Sequence, residues 1–121
     1  MSKEQLYIFD TTLRDGAQTQ GVDFSIDDKE KISSALDKLG VDYVEGGWPG
    51  ANPTDTEFFN KDHKFKSTKL TAFGMTKKTE HSAENDPMLS SLVNSKSTSV
   101  CLFGKSWDFH CLLYTSPSPR D

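Results

Sequence analysis

With 121 residues, the chain is long enough for one small domain or for part of a larger one. Hydrophobic residues make up 34%, charged residues 26% and aromatic residues 11%, a polar but foldable mixture that argues against wholesale disorder. The formal net charge is -4, from 14 basic and 18 acidic residues scattered along the chain, so there is no basic stripe to neutralise a phosphate backbone and nucleic acid is not an expected partner.

The first apolar run, Leu6 to Phe9, is far too short for a secretory core or a membrane span, so the expectation is a soluble cytoplasmic protein with no membrane partner. Its strand-forming residues, closed by Asp10-Thr11-Thr12, predict a first strand. Ser25-Ile26-Asp27-Asp28 reads as a helix start: a serine cap, acids against the dipole, and Asp28 in place of the capping-box glutamate. Ile32, Ala35, Leu36 and Leu39 keep helical spacing and Gly40 is placed to stop it, predicting a helix over Ile26 to Leu39.

Val41 to Glu45 has strand composition, and Gly46-Gly47-Trp48-Pro49-Gly50 is expected to interrupt it. Thr54-Asp55-Thr56-Glu57 is a second capping-box pattern, opening a short helix that carries Phe58 and Phe59 toward the sheet. Lys69 to Gly74 reads as a third strand, Ala83 to Val93 as a third helix, and Thr98 to Phe103 as a fourth strand. From Cys111 to Asp121 two prolines remove backbone donors where another helix is due, so residues 111–121 are expected to be a disordered or foreign tail, with residues 1–110 forming the domain. Cys101 and Cys111 show no CxxC spacing and are expected to be reduced, Cys101 buried and inert.

Alternation of strand and helix argues for parallel βαβ units. A doubly wound nucleotide fold would carry a GxGxxG fingerprint after the first strand; Gly16 and Gly21 do not make one. The fold class expected is therefore α/β, the N-terminal half of a (β/α)8 barrel with about four βα units, incomplete because such barrels need about 250 residues.

In a barrel the loops after the strands carry the chemistry. Asp10-Thr11-Thr12-Leu13-Arg14-Asp15-Gly16-Ala17-Gln18 places a guanidinium, a carboxylate and an amide there. A carboxylate in that position suits a hard cation, and a guanidinium suits a developing oxyanion. From spacing alone, a solvated pair or turn former is the more common meaning of adjacent Arg14 and Asp15.

The run Asp10 to Gly16 resembles the opening signature of the metallolyase-type barrels that include isopropylmalate, homocitrate and citramalate synthases and hydroxymethylglutaryl-CoA lyase. Asp15-Gly16-Ala17-Gln18 with Gly21-Val22, Glu45 to Pro53, Ala72-Phe73-Gly74 and Phe103 to His110 resemble the citramalate branch in particular, over about residues 5–110. The resemblance implies condensation of acetyl-CoA with pyruvate to (R)-citramalate and CoA, a step toward isoleucine, in a parent enzyme that forms homo-oligomers. It implies a divalent metal cation (Mg, Mn or Zn) bound by Asp15, and Arg14 as the catalytic residue that contacts the 2-oxo acid and steadies the oxyanion. Gln18 and Glu45 are implied substrate-side groups, with structural hydrogen bonding as the equal alternative.

The His-x-His pair that supplies the remaining protein ligands in that family is absent, and the truncated chain is expected to be inactive by itself. His63 and His81 read as surface histidines, and His110 is left outside the metal site. Trp48-Pro49-Gly50 reads either as pocket lining or as a rigid turn covering the core. Three functional alternatives stay open: a synthase for another 2-oxo acid, a related carbon-carbon lyase, and a non-catalytic fragment or interaction module.

Overall fold

A computed structural model describes residues 3–105. The expected tail at 111–121, the segment Ser106 to His110 and His110 itself lie outside the described residues. Within them, β1 (Phe9–Asp10), β2 (Tyr43–Gly47), β3 (Lys69–Met75) and β4 (Ser99–Phe103) alternate with α1 (Ile26–Leu39), α2 (Pro53–Asn60) and α3 (Pro87–Asn94). The strands form a four-stranded sheet in the order β1-β2-β3-β4 with every neighbouring pair parallel. Sequential parallel strands with helices on one face are the N-terminal half of a (β/α)8 barrel. None of the described helices is long and apolar enough to cross a membrane.

The bounds of α1 follow the sequence expectation because both ends are set locally. Ser25 accepts from the Asp28 amide while Asp28 accepts from the Ser25 amide, and Gly40, at φ 93°, closes the helix in the left-handed region. The other elements depart in instructive ways. The first strand is confined to Phe9–Asp10, which pair with Tyr43 and Val44 of β2, and Leu6, Tyr7 and Ile8 before it are exposed.

β2 runs through Gly46 and Gly47 instead of stopping at Glu45, with a register shift between Glu45 and Gly47. A Cβ at Gly46 would lie 2.8 Å from Phe58 and 3.0 Å from Leu70 and Phe59, so the glycine is there to let α2 close on the strand. Helix α2 is capped by Asn52, with Pro53 at its first position, rather than by Thr54. The third helix starts at Pro87, not Ala83: the Asp86 carboxylate caps it, accepting from the Met88 and Leu89 amides. That carboxylate also accepts from the Lys78 amide, which outweighs burial and holds its pKa down at about 2.

Leu13, Val41, Val44, Phe58, Phe59, Leu70, Ala72 and Leu92 form the core between sheet and helices. Phe58 and Phe59 pack as expected, edge to face with ring centroids 5.5 Å apart. Since side chains alternate along a strand, Val44, Leu70 and Ala72 face the helices while Tyr43, Glu45, Thr71 and Phe73 face the other side, which in a barrel is the interior.

Candidate functional site

The loop after β1 turns at once: the amides of Arg14, Asp15 and Gly16 all donate to the Thr11 carbonyl, and Gly16–Gln18 form one 3-10 turn. This tight reversal throws Arg14 back across the ends of the strands. Its guanidinium Nε donates to Glu45 Oε1, its Nη2 donates to Asp15 Oδ2 at 3.0 Å, and its central carbon lies 4.0 Å from the centroid of the Phe73 ring. Two charge-assisted bonds and a cation-π contact fix a side chain that is only 19% exposed. Phe73 is in turn packed edge-on by Trp48, with centroids 5.3 Å apart.

Arg14, Asp15 and Glu45, separated by up to 31 positions in sequence, thus meet at the C-terminal ends of β1 and β2. Glu45 is 1% exposed, and the Asp15 side chain is 53% exposed. Gln18 is exposed and does not join that ion-pair cluster, although it lines the same cavity as Arg14. The cavity, of about 370 Å³, is walled by Arg14, Ala17, Gln18, Lys29, Trp48 and Asp55 among others. Trp48 lines this cavity and packs against Phe73.

Cys101 is half-buried rather than fully buried, facing the same side of the sheet as Phe73, its partner in register. Partial burial pushes its thiol pKa up, and the neighbouring Glu45 carboxylate adds to the effect. His63 is not a free surface group: its Nε2 lies 2.6 Å from the Phe58 carbonyl and its ring is stacked with Phe65. His81 contacts Asp86 through Nδ1 at 3.3 Å. Among the described residues no three His, Cys, Asp or Glu side chains are grouped so as to hold a metal ion. Asp15 offers one half-exposed carboxylate, the hard oxygen donor that a divalent cation takes, and so fits as a single ligand of a larger set.

Sequence reasoning passed over Lys29 and Asp55. Lys29 is 2% exposed, and its ammonium contacts Asp55 Oδ1 at 2.6 Å, the Gly46 carbonyl at 2.7 Å and the Leu13 carbonyl at 3.0 Å. The other Asp55 oxygen accepts from the Trp48 amide at 2.9 Å and from the Asn52 side chain at 3.1 Å. The signal was present in the periodicity: Lys29 sits at helical spacing with Ile32, Ser33 and Leu36, on the inward face of α1, where an amine needs a buried partner.

Residues 5–88 match the HMGL-like family. The chain is 51% identical to the (R)-citramalate synthase of Aquifex aeolicus (strain VF5) over 109 residues, 88% of this chain and 21% of that protein. It is 48% identical to the (R)-citramalate synthase of Sulfolobus acidocaldarius over 112 residues, 91% of this chain and again 21% of the relative. Against 2-isopropylmalate synthase 1 of Caldanaerobacter subterraneus the identity is 36%, over 100% of this chain and 30% of the relative. The chain thus spans about a fifth of the length of these citramalate synthases. With the family match covering most of a half-barrel whose strand ends bear Arg14, Asp15 and Glu45, the chain belongs to the HMGL-like family of (β/α)8-barrel proteins.

Proposed function

We propose that the protein to which this chain belongs condenses acetyl-CoA with pyruvate, forming (R)-citramalate and CoA for isoleucine synthesis. The observation that carries the reading is the immobilised guanidinium of Arg14, held by Glu45 and Asp15 over the Phe73 ring at the strand ends. Its kinship with citramalate synthases, at 42–51% identity to several of them, favours this synthase over other members of the family.

The methyl group of acetyl-CoA loses a proton, its carbon attacks the ketone carbon of pyruvate, and water then splits the thioester to release CoA. The ketone oxygen gains a full negative charge in the new carbon-carbon bond-forming step. A guanidinium has more donors than its two carboxylate partners use, and the remaining N–H groups of Arg14 meet that oxygen. Because Glu45 and Phe73 already hold the side chain in place, little reorganisation is needed when the charge appears. A divalent cation (Mg, Mn or Zn), for which Asp15 fits as one oxygen ligand, would supply Lewis-acid polarisation of the ketone. In this reading Gln18 binds substrate, supported by its position on the cavity wall.

In the full-length protein, Arg14→Ala is expected to lower kcat by about 10²–10³-fold, the effect of removing one oxyanion donor. CoA release from acetyl-CoA and pyruvate measures it, and unchanged turnover defeats the assignment. The 36% identity to a 2-isopropylmalate synthase supports a second reading in which a different 2-oxo acid is used, and a panel of oxo acids decides between them. The 121-residue polypeptide alone is expected to be inactive, since among its described residues no three His, Cys, Asp or Glu side chains are grouped to hold the proposed metal ion.

A further inference from the structure

Buried charge is costly, and an apolar side chain of similar volume often stabilises a fold as well as a buried ion pair does. What an apolar side chain cannot do is grip a carbonyl. The Lys29 ammonium grips two, on Leu13 and Gly46, while its charge is met by Asp55. Leu13 immediately precedes Arg14, and Gly46 immediately follows Glu45. One buried cation therefore ties together the two backbone segments whose side chains form the Arg14–Glu45 pair. Through Asp55 the same clasp reaches the Trp48 amide, and Trp48 packs on the Phe73 ring that lies under the guanidinium.

We infer that Lys29 is a positioning residue for the condensation, setting from the helix side of the sheet where Arg14 stands relative to Glu45 and Phe73. The inference rests on the synthase reading above. Its three contacts lie on three different segments, the loop after β1, strand β2 and helix α2, so loss of the amine frees each to shift against the others. A displacement of about 1 Å at a catalytic group can lower turnover about 10²-fold.

The test uses the full-length protein and three changes, Lys29→Met, Lys29→Met with Asp55→Asn, and Arg14→Ala, alone and combined. The paired change leaves no unpaired buried charge and keeps an acceptor for the Trp48 amide, so it stays folded even where Lys29→Met does not. Melting curves establish that each protein is folded, and kcat and KM are measured on the folded enzyme. The paired change is expected to lower kcat about 10–100-fold with Arg14 present. With Arg14→Ala it is expected to change kcat less than about twofold, because the group through which Lys29 acts has gone. A purely structural residue would give the same fold loss in both backgrounds, or a loss that tracks the melting temperature alone, and either result overturns the inference. If Arg14→Ala leaves turnover intact, the synthase reading fails and takes this inference with it. A normal Arg14 dependence with additive Lys29 effects sinks the inference alone.

Discussion

Replacing Gly46 by alanine adds one methyl group at the most tightly packed point between β2 and α2. The new carbon would lie 2.8 Å from Phe58 Cε2 and 3.0 Å from both Leu70 Cδ1 and Phe59 Cζ, all of them side chains of the buried core. Overpacking of this kind costs roughly 1–3 kcal/mol. Gly46 does not adopt a positive φ, so alanine suffers no backbone strain there and gains about 0.4–1 kcal/mol from a stiffer unfolded chain. The net expectation is a loss of about 1–2 kcal/mol, read as a lower urea midpoint at unchanged slope in the full-length protein. Phe58→Leu withdraws the nearest atom, so a double-mutant cycle should return a favourable coupling of about 1 kcal/mol between the two changes. An unchanged or raised midpoint for Gly46→Ala, or strict additivity with Phe58→Leu, would refute the view that this glycine exists to admit the aromatic pair.

Two further outcomes follow from titrating groups. The Asp37 carboxylate accepts from the amides of Lys66, Thr68 and Ser67 at 2.8, 3.0 and 3.1 Å, which lowers its pKa from 3.8 to about 2. A carboxyl whose folded pKa is depressed contributes stability that is present above its unfolded value and is lost as pH falls through the folded one. Asp37→Asn should therefore flatten the acid limb of urea midpoint against pH between 3.8 and about 2, and identical limbs would contradict this. The raised pKa of Cys101 predicts slower alkylation by iodoacetamide at about pH 8 in the folded protein than in urea, followed by peptide mass spectrometry to separate it from Cys111. Faster alkylation of the folded form would contradict the assignment.

What could be read from the sequence was whatever is decided within a few residues. The ends of α1 are settled by Ser25, Asp28 and Gly40, and sequence reading placed both. Elements whose limits depend on distant partners were placed less well. Leu6 to Ile8 have strand composition but stay outside β1, which among the described residues pairs only at Phe9 and Asp10, and Gly46-Gly47 looked like a turn because Phe58, Phe59 and Leu70, which make glycine necessary, come later in the chain. The start of α2 was read at Thr54, from its capping-box pattern. Asn52-Pro53 prevailed, leaving Asp55 free to hold Lys29 and the Trp48 amide.

The site divides in the same way. Arg14 and Asp15 were legible as neighbours in one motif, and the structure brings Glu45 to them across 31 positions. Gln18 shares their cavity without joining their ion pairs. Lys29 was hidden because its chemistry is with main-chain carbonyls, which any sequence supplies and no motif records.

Asp37 lies near the end of α1 and its three donors immediately precede β3, so this fastening sits at the opposite rim of the barrel from Arg14. The Asp37 fastening and the Arg14–Asp15–Glu45 cluster thus lie at different ends of the same strands. A protein engineer could harden the lower rim, through the 66–68 loop, while leaving Arg14, Asp15 and Glu45 at the upper rim undisturbed.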